Sequence, residues 1–296
     1  MAQRPRDDAG FRPQGNQGPE RHRPIQNKLN QNPPEPTRSA GMVELKTANE
    51  IMAMREAGRI VAQALDACAK HARIGTSLRE LDELAHTIIR DAGARSSFLH
   101  YHPRFAPTPF PAVICASVND VVVHGIPDDY RLQDGDLLSI DCGAQIGGFH
   151  GDSAISLIVG TPDPADEQLI SITQEALDAG IAAARPGGRL SDISHAVGAI
   201  GRRAGYGIPA DFGGHGIGRK MHEDPSVPNT GKPGRGFPLK PGLVIAIEPM
   251  FMAGGRDKYV VADDGWALRT SDGSRAAHVE HSVAITEGGP LVLTAL

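Results

Sequence analysis

The chain has few of the residues that build disulfide frameworks or thiolate metal sites. Its three cysteines, Cys68, Cys115 and Cys142, are too few and too widely spaced for either. Lys and Arg number 30 against 35 Asp and Glu, a balance that does not favour a nucleic-acid-binding protein. No apolar run approaches the roughly 20 residues of a membrane span, and no apolar segment follows the charged first residues as it would in a signal peptide. These features predict a soluble protein of the reducing cytoplasm, without nucleic-acid or membrane partners.

The first 40 residues differ in composition from the rest. Arg, Pro, Gln, Asn and Gly dominate them, so this segment cannot bury enough apolar surface to offset the entropy of ordering. We therefore predict a disordered extension over residues 1–40. Its Pro33-Pro34-Glu35-Pro36 stretch has the spacing of a polyproline II ligand, although an ordinary linker has a similar composition. The whole chain is 40% hydrophobic, which provides an ample core for a folded domain over residues 41–296.

Residues 137–154 have the pattern of a β-hairpin, with two apolar and β-branched runs around a glycine-containing turn. A two-residue loop at Ile146-Gly147 would place Asp141 directly opposite Asp152. Cross-strand partners have Cβ atoms roughly 4.5 to 5.5 Å apart, so two ionised carboxylates there would repel each other. Either one carboxyl group holds a proton, or a divalent cation lies between them, or both face water at a sheet edge. The hairpin alone leaves these alternatives open.

Helical periodicity occurs twice in the same arrangement. Apolar residues recur at steps of three and four over four segments: 48–70 and 78–89 in the first half, and 166–184 and 190–204 in the second. At an offset of 112 residues (185 − 73), Arg73-x-Gly75 matches Arg185-x-Gly187, and two further blocks match in the same register. Each half continues into strands. This pattern predicts an α+β fold of two related halves, with a site in the cleft between them.

Three polar residues of the second half extend the candidate site. Glu248 ends a continuous apolar strand, where an unpaired carboxylate would be costly. Glu280 lies in an alternating strand, on the same face as His278. His215 is flanked by glycines, which let the backbone approach other groups closely. Each residue alone is more often structural, but with the two aspartates they form an oxygen-rich set with one neutral imidazole. Such a set suits Mn, Fe, Co or Zn in a shared two-metal site.

These motifs resemble one family, the type I methionine aminopeptidases, which are metallopeptidases of family M24 with the pita-bread fold. The resemblance covers residues 42–294. It rests on Ser117-Val118-Asn119-Asp120 followed by His124-Gly125-Ile126-Pro127, on Ile140-Asp141 and Gly151-Asp152, on Gly214-His215-Gly216-Ile217-Gly218 followed by His222-Glu223, on Ile247-Glu248-Pro249, and on Val279-Glu280-His281.

The resemblance implies that residues 41–296 form a catalytic domain in which two pseudo-symmetric halves surround a central site. It implies five ligands for two divalent ions, Co, Mn, Fe or Zn: Asp141, Asp152, His215, Glu248 and Glu280. Glu248 would also move a proton, and His124 and His222 would contact the substrate as further catalytic residues. The substrate's methionine side chain would enter a pocket of Phe110, Cys115, Met221 and Trp266. The implied reaction removes the N-terminal methionine from nascent proteins and peptides with a small second residue, by metal-assisted hydrolysis.

The chain departs from the family pattern in one loop. Tyr101-His102 stands apart from Phe110-Pro111, so we expect a longer loop over the pocket and assign no role to His102. Met221 also occupies a position where an aromatic residue is common. The expected partners are peptide or nascent-chain N-termini, bound by a monomer, and a contact between the extension and the ribosome stays open. The alternatives are another pita-bread peptidase, of Xaa-Pro type, and a pita-bread protein that binds without catalysis.

Overall fold

The structure is a computed structural model that describes residues 43–296, so the predicted extension and its Pro-rich stretch lie outside the described residues. The described helices are α1 (Ala48–His71), α2 (Leu78–Asp91), α3 (Pro164–Ala183) and α4 (Leu190–Arg203). The described strands are β1 (Arg95–Ser96), β2 (Ile114–Val118), β3 (Val121–Val123), β4 (Leu137–Ile146), β5 (Phe149–Ile158), β6 (Gly213–Gly216), β7 (Glu223–Pro228), β8 (Val244–Ile247), β9 (Met250–Met252), β10 (Tyr259–Val261), β11 (Leu268–Thr270), β12 (Ala276–His278), β13 (Glu280–Thr286) and β14 (Gly289–Val292). Among residues 43–296, no helix combines the length and apolarity that crossing a membrane requires.

The helices of the first pair begin at capping boxes. Ser77 accepts a hydrogen bond from the N–H of Glu80, whose carboxylate accepts one from the N–H of Ser77, and Thr47 begins α1 in the same way. The bounds of α2 and α4 lie 112 residues apart (190 − 78 and 203 − 91). Gly75 and Gly187, which precede these helices, have φ angles of 90° and 87°. The same backbone conformation therefore occurs at both positions of the proposed repeat, while the duplication itself stays a prediction.

A nine-stranded antiparallel sheet joins the two halves of the chain. Its main order is β1-β4-β5-β13-β8-β6-β7, with β2 added to β4 and β14 added to β13. The strands β1, β2, β4 and β5 come from the first half and the others from the second, so the pairing of β5 with β13 is the junction. At this junction Ala154 lies opposite Glu280. Glu280, one of the predicted site residues, therefore lies at this junction.

The hairpin of β4 and β5 forms, but its predicted register is wrong. The turn consists of Gly147 and Gly148, one residue later than predicted, with φ angles of 61° and 83°. A two-residue turn with positive φ at both positions suits two glycines, whereas the predicted turn included a β-branched residue. Asp141 consequently lies opposite Ala154 instead of Asp152. Because the register shifts by two residues, the two aspartates stay on one face and become diagonal neighbours.

The helices cover one face of the sheet, and the acids lie on the other. Ile140 and Cys142 of β4 belong to the core formed with α1 and α2, and Asp141 between them points the opposite way. Val279 packs in the core formed with α3 and α4, next to Glu280. Strand alternation therefore directs the carboxylates away from the helices.

The alternating strand predicted to contain both His278 and Glu280 is divided in two. β12 ends at His278 and pairs with β9, whereas β13 begins at Glu280 and pairs with β5 and β8. Between them, the N–H of Val279 donates to the carbonyl oxygen of Pro249 at 3.3 Å. The segment around Val279 therefore contributes to two sheets, and His278 and Glu280 both lie beside the junction of β5 and β13.

We predict that Gly151→Ala destabilises the fold by about 1 to 3 kcal/mol, because β5 passes close to α1 at this residue. A Cβ on residue 151 would lie 2.7 Å from the backbone nitrogen of Gly58. Urea unfolding of the wild type and the variant measures the change. Gly288→Ala is the matched control, since the nearest atom to a Cβ there is Thr286 Oγ1 at 3.8 Å. Equal free energies of unfolding for the two variants would contradict the prediction.

Candidate metal centre

Four carboxylates meet where the two halves of the chain join. Asp141, Ala154 and Glu280 lie side by side on β4, β5 and β13, and Ala154 between the two acids presents only a methyl group. Asp152 precedes Ala154 by two residues and shares its face. β13 also pairs with β8, after which comes Glu248. The sheet register thus brings together four acids that are far apart in the sequence.

The fifth predicted residue, His215, lies on β6, which pairs with β8. Its Nε2 is 3.6 Å from Asp152 Oδ2 and 3.7 Å from Glu248 Oε1. Its Nδ1 lies 2.8 Å from the carbonyl oxygen of Gly216, so we assign the proton of the neutral ring to Nδ1, which donates to this carbonyl. The Nε2 lone pair is then directed toward the acids. A backbone acceptor commonly fixes the second nitrogen of a metal-binding histidine in this way.

Burial and crowding shift the pKa values of these groups. Burial, followed by repulsion from neighbouring acids, raises the pKa of Asp141 and that of Glu280 well above the usual range. Burial also raises the pKa of Asp152. Burial lowers the pKa of His215, but the neighbouring carboxylates of Asp152 and Glu248 outweigh it, so the net shift is upward. Asp141, Asp152 and Glu280 therefore resist ionisation unless a cation compensates their charge.

The cluster contains oxygen atoms that only a further group would satisfy. Asp141 Oδ1, Asp152 Oδ1 and Glu280 Oε1 are buried and have no hydrogen-bond partner among residues 43–296. Leaving such a polar group unsatisfied costs on the order of 1 to 3 kcal/mol. Asp152, His215 and Glu280 offer ligand atoms that all lie within 4.8 Å of one another. Oxygen donors with an imidazole suit Mn, Fe, Co or Zn, so the residues present fit a divalent metal ion.

The two outer histidines flank this cluster. The ring of His222 lies 4.1 Å from that of His215, measured between centroids. The ring of His124 packs edge-on against Trp266 at 6.2 Å and against Phe212 at 5.9 Å. Burial lowers the pKa of His124 to about 4, so its imidazole is neutral at neutral pH. His222 therefore lies beside His215 and His124 beside Trp266, while contact of either ring with a substrate stays a prediction.

The four predicted pocket residues belong to one buried apolar cluster. This cluster contains Phe110, Cys115, Met221 and Trp266, together with residues such as Phe98. The rings of Phe110 and Trp266 pack edge-on at 5.1 Å, and the indole N–H of Trp266 donates to the carbonyl oxygen of Thr108 at 3.0 Å. Cys115 lies directly opposite Asp141 in the pairing of β2 with β4. The apolar cluster therefore adjoins the acids.

Two residues near the cluster have no role in the sequence-based assignment. Tyr101, in the loop that the sequence predicts to be longer, stacks on His222 with ring centroids 5.1 Å apart and an interplanar angle of 28°. His102 beside it bonds within the loop instead, with Nε2 3.2 Å from the carbonyl oxygen of Ala106. The second residue, His278, is buried against the acids. Its alternation with Glu280 was the signal that could have identified it, whereas the irregular loop offered no signal for Tyr101.

Comparison with known proteins gives a consistent result. Residues 52–287 match the model of metallopeptidase family M24. Methionine aminopeptidase 1 of Mycobacterium tuberculosis is 51% identical over 265 residues, which cover 87% of this chain and 97% of that protein. Methionine aminopeptidase 1 of Bacillus subtilis is 45% identical over 253 residues, which cover 86% of this chain and 99% of that protein.

Solved structures show the same fold. The methionine aminopeptidase of Thermotoga maritima superposes with a TM-score of 0.82 at 38% identity, covering 86% of this chain and 100% of that one. A prolidase from Pyrococcus furiosus, at 24% identity and a TM-score of 0.66, shares the fold, and the match covers 85% of this chain and 65% of that one. The predicted pita-bread fold, an α+β arrangement, is confirmed.

Proposed function

Because the chain belongs to the type I methionine aminopeptidases of metallopeptidase family M24, it removes N-terminal methionine, and we propose that two divalent ions support this hydrolysis. The residues proposed to hold them are Asp141, Asp152, His215, Glu248 and Glu280. The observation that carries this proposal is the convergence of four acids and one imidazole, with three buried oxygens that have no hydrogen-bond partner among residues 43–296. All five side chains would act as ligands to these ions.

When bound, the ions would supply Lewis acidity and a hydroxide nucleophile near neutral pH, and Co, Mn, Fe and Zn all suit these ligands. A side chain of the protein then transfers the proton. Glu248 takes the proton of the attacking water and delivers it to the leaving nitrogen of the scissile amide. Its backbone is held by Asn229, whose side-chain amide donates to the Glu248 carbonyl oxygen at 2.9 Å. This contact anchors the carboxylate-bearing residue beside the acids.

The two outer histidines are proposed to bind the reacting amide. His124 is neutral near pH 7, because burial depresses its pKa, and it hydrogen-bonds the scissile amide nitrogen. His222 donates to the oxygen that becomes negatively charged during attack. The stacking of Tyr101 restricts the tilt of the His222 ring. Both rings therefore contact the substrate and not the metal ions.

The apolar cluster beside the acids is proposed to select methionine. Phe110, Cys115, Met221 and Trp266 offer aromatic and sulfur-containing surfaces, which suit a thioether side chain. The β2–β4 pairing places Cys115 next to Asp141, so a side chain in this pocket would lie near the cleaved bond. The proposed substrates are nascent chains and peptides with a small second residue.

The cellular setting is proposed on the same basis. Nascent chains begin in the cytoplasm, and the three cysteines are unpaired and buried, which is compatible with a reducing compartment. We propose a monomer whose catalytic domain spans residues 41–296 and contains an internal repeat. The ribosome is one candidate partner for its N-terminal extension, residues 1–40.

A peptide-release assay tests the function and its nearest alternatives. Apoprotein is reloaded with Co, Mn, Fe or Zn, and peptides beginning Met-Ala, Met-Leu, Leu-Ala and Ala-Pro are compared. We expect Met-Ala to be cleaved at least about 10-fold faster than Met-Leu and Leu-Ala, since one misfitting group costs about 1 to 3 kcal/mol. Preferential cleavage of Ala-Pro would favour an Xaa-Pro peptidase. Binding of Met-Ala without release of any residue would favour a non-catalytic protein.

A further inference from the structure

His278 is a buried histidine that the proposed mechanism does not use. Only 2% of its surface is exposed. It ends β12, where it pairs with Met250, and its N–H lies 3.1 Å from Ser156 Oγ, while its carbonyl oxygen accepts a hydrogen bond from the same hydroxyl at 2.8 Å. These contacts fix its backbone. The side chain extends toward Glu248 and Glu280.

The geometry around the His278 ring resembles that around His215. His278 Nε2 is 3.5 Å from Glu248 Oε2 and 3.8 Å from Glu280 Oε2, while His215 Nε2 is 3.6 Å and 3.7 Å from its two carboxylate oxygens. All four distances exceed those of N–H···O hydrogen bonds, which reach about 3.2 Å. Ligand atoms on one metal ion, each about 2.1 Å from it, are typically about 3 to 3.5 Å apart. A small contraction would thus bring His278 Nε2 into a coordination shell.

Two further observations support a ligand in this position. His278 Nε2 is buried and makes no hydrogen bond to any residue in the part of the chain that the structure describes. Glu248, His278 and Glu280 form a group whose ligand atoms lie within 4.8 Å of one another, and it shares only Glu280 with the group of Asp152, His215 and Glu280. Glu248 presents Oε1 to His215 and Oε2 to His278, so each of its oxygens faces a different imidazole.

We propose that His278 Nε2, Glu248 Oε2 and Glu280 Oε2 form a third position for a divalent cation. This inference rests on the proposed function only in placing the third position beside the metal pair. One imidazole with two carboxylates favours Zn, Co or Fe over Mg. Two divalent ions already balance the charge of the four carboxylates, so the third position binds more weakly than the pair. An ion at this position binds Glu248 Oε2, the carboxylate oxygen that does not face His215. Occupancy of the third position, and hence the concentration of the ion, therefore affects the residue that transfers the proton.

Titration of the full-length apoprotein with Co²⁺ tests the proposal, by calorimetry and by proton NMR. Binding of Co²⁺ to a histidine shifts the ring N–H signal far outside the normal range. We expect the wild type to bind two ions tightly and a third more weakly, with one shifted N–H signal after two equivalents and a second signal with the third. A wild type that shows only one such signal at saturation would overturn the proposal, whatever the variants do.

Two substitutions separate coordination from hydrogen bonding. His278→Gln keeps an N–H donor but removes the imidazole ligand, and His278→Ala removes both. We expect both variants to lose the third binding event and the second N–H signal while they still bind two ions. Retention of the third event in His278→Gln would show that residue 278 acts as a hydrogen-bond donor and would overturn the proposal. His215→Ala provides the contrast, since it should lose an ion of the tight pair, and an unaffected pair there would instead contradict the proposed function.

Discussion

Replacing Glu248 with glutamine is expected to lower kcat for a Met-Ala peptide by about 1,000-fold or more. Loss of a general acid–base group alone typically costs about 100-fold to 10,000-fold. Glutamine has nearly the same shape, but it cannot take up the proton of the attacking water and is a poorer metal ligand. Both losses act on the same step, so the effect should appear in kcat as well as in kcat/KM. Steady-state assays at saturating metal measure it.

The matched control is Glu287→Gln, since Glu287 is exposed in the turn between β13 and β14 and lies outside the acidic cluster. It should retain the turnover of the wild type. Metal content, measured after gel filtration, separates the two roles of Glu248. A variant that binds two ions but does not turn over has lost the proton transfer, whereas one that binds a single ion has lost a ligand. Turnover above one tenth of the wild-type value in Glu248→Gln would rule out the assigned proton transfer.

The periodic parts of the fold follow from the sequence. Ser77 and Glu80 form a capping box, and apolar steps of three and four continue from there, so the start of α2 could be predicted to within about one residue. Alternation in β4 likewise placed Asp141 on the face opposite Ile140, whatever the register. Local propensity and side-chain period determine such features, and both are contained in short stretches of sequence.

The register of the hairpin depends on the backbone conformation of its two turn residues. The choice between two adjacent two-residue turns depends on which pair tolerates positive φ, and Gly147 with Gly148 is better than a pair that contains Ile146. The predicted opposition of Asp141 and Asp152 was therefore wrong by two residues, yet the conclusion about one shared face holds. A shift of one residue would have turned one of the two acids to the other face.

Contacts between residues that are far apart in the sequence cannot be predicted from local sequence patterns. Tyr101 stacks on His222 although 121 residues separate them (222 − 101), and the loop that carries it has no periodicity. His278 could be placed on the face of Glu280, but its approach to Glu248 depends on the break at Val279 and on the pairing of β12 with β9. Both contacts are set by sheet assembly, for which the sequence shows no repeating signal.

Exhaustive removal of metal is expected to abolish turnover, and addition of Co, Mn, Fe or Zn is expected to restore it. Without an ion, no group among residues 43–296 satisfies the buried oxygens of Asp141, Asp152 and Glu280, and no hydroxide nucleophile is available near neutral pH. The test measures kcat for a Met-Ala peptide after dialysis against a chelator, against a sample dialysed without chelator. Full activity of protein that retains less than one hundredth of an ion per chain would contradict the metal-dependent mechanism.

The same removal should change how stability depends on pH. Burial and mutual repulsion raise the pKa of Asp141 and of Glu280 in the metal-free fold. Between the ordinary carboxyl pKa and these raised values, the folded apoprotein binds more protons than the unfolded chain, so its free energy of unfolding falls as pH rises. Bound ions replace those protons, and metal affinity therefore increases with pH. The difference in Tm between the loaded protein and the apoprotein should thus widen from about pH 5 to pH 8. A difference that narrows over this range would show that the carboxyl groups of the apoprotein are already ionised, and that something other than a metal ion compensates their charge.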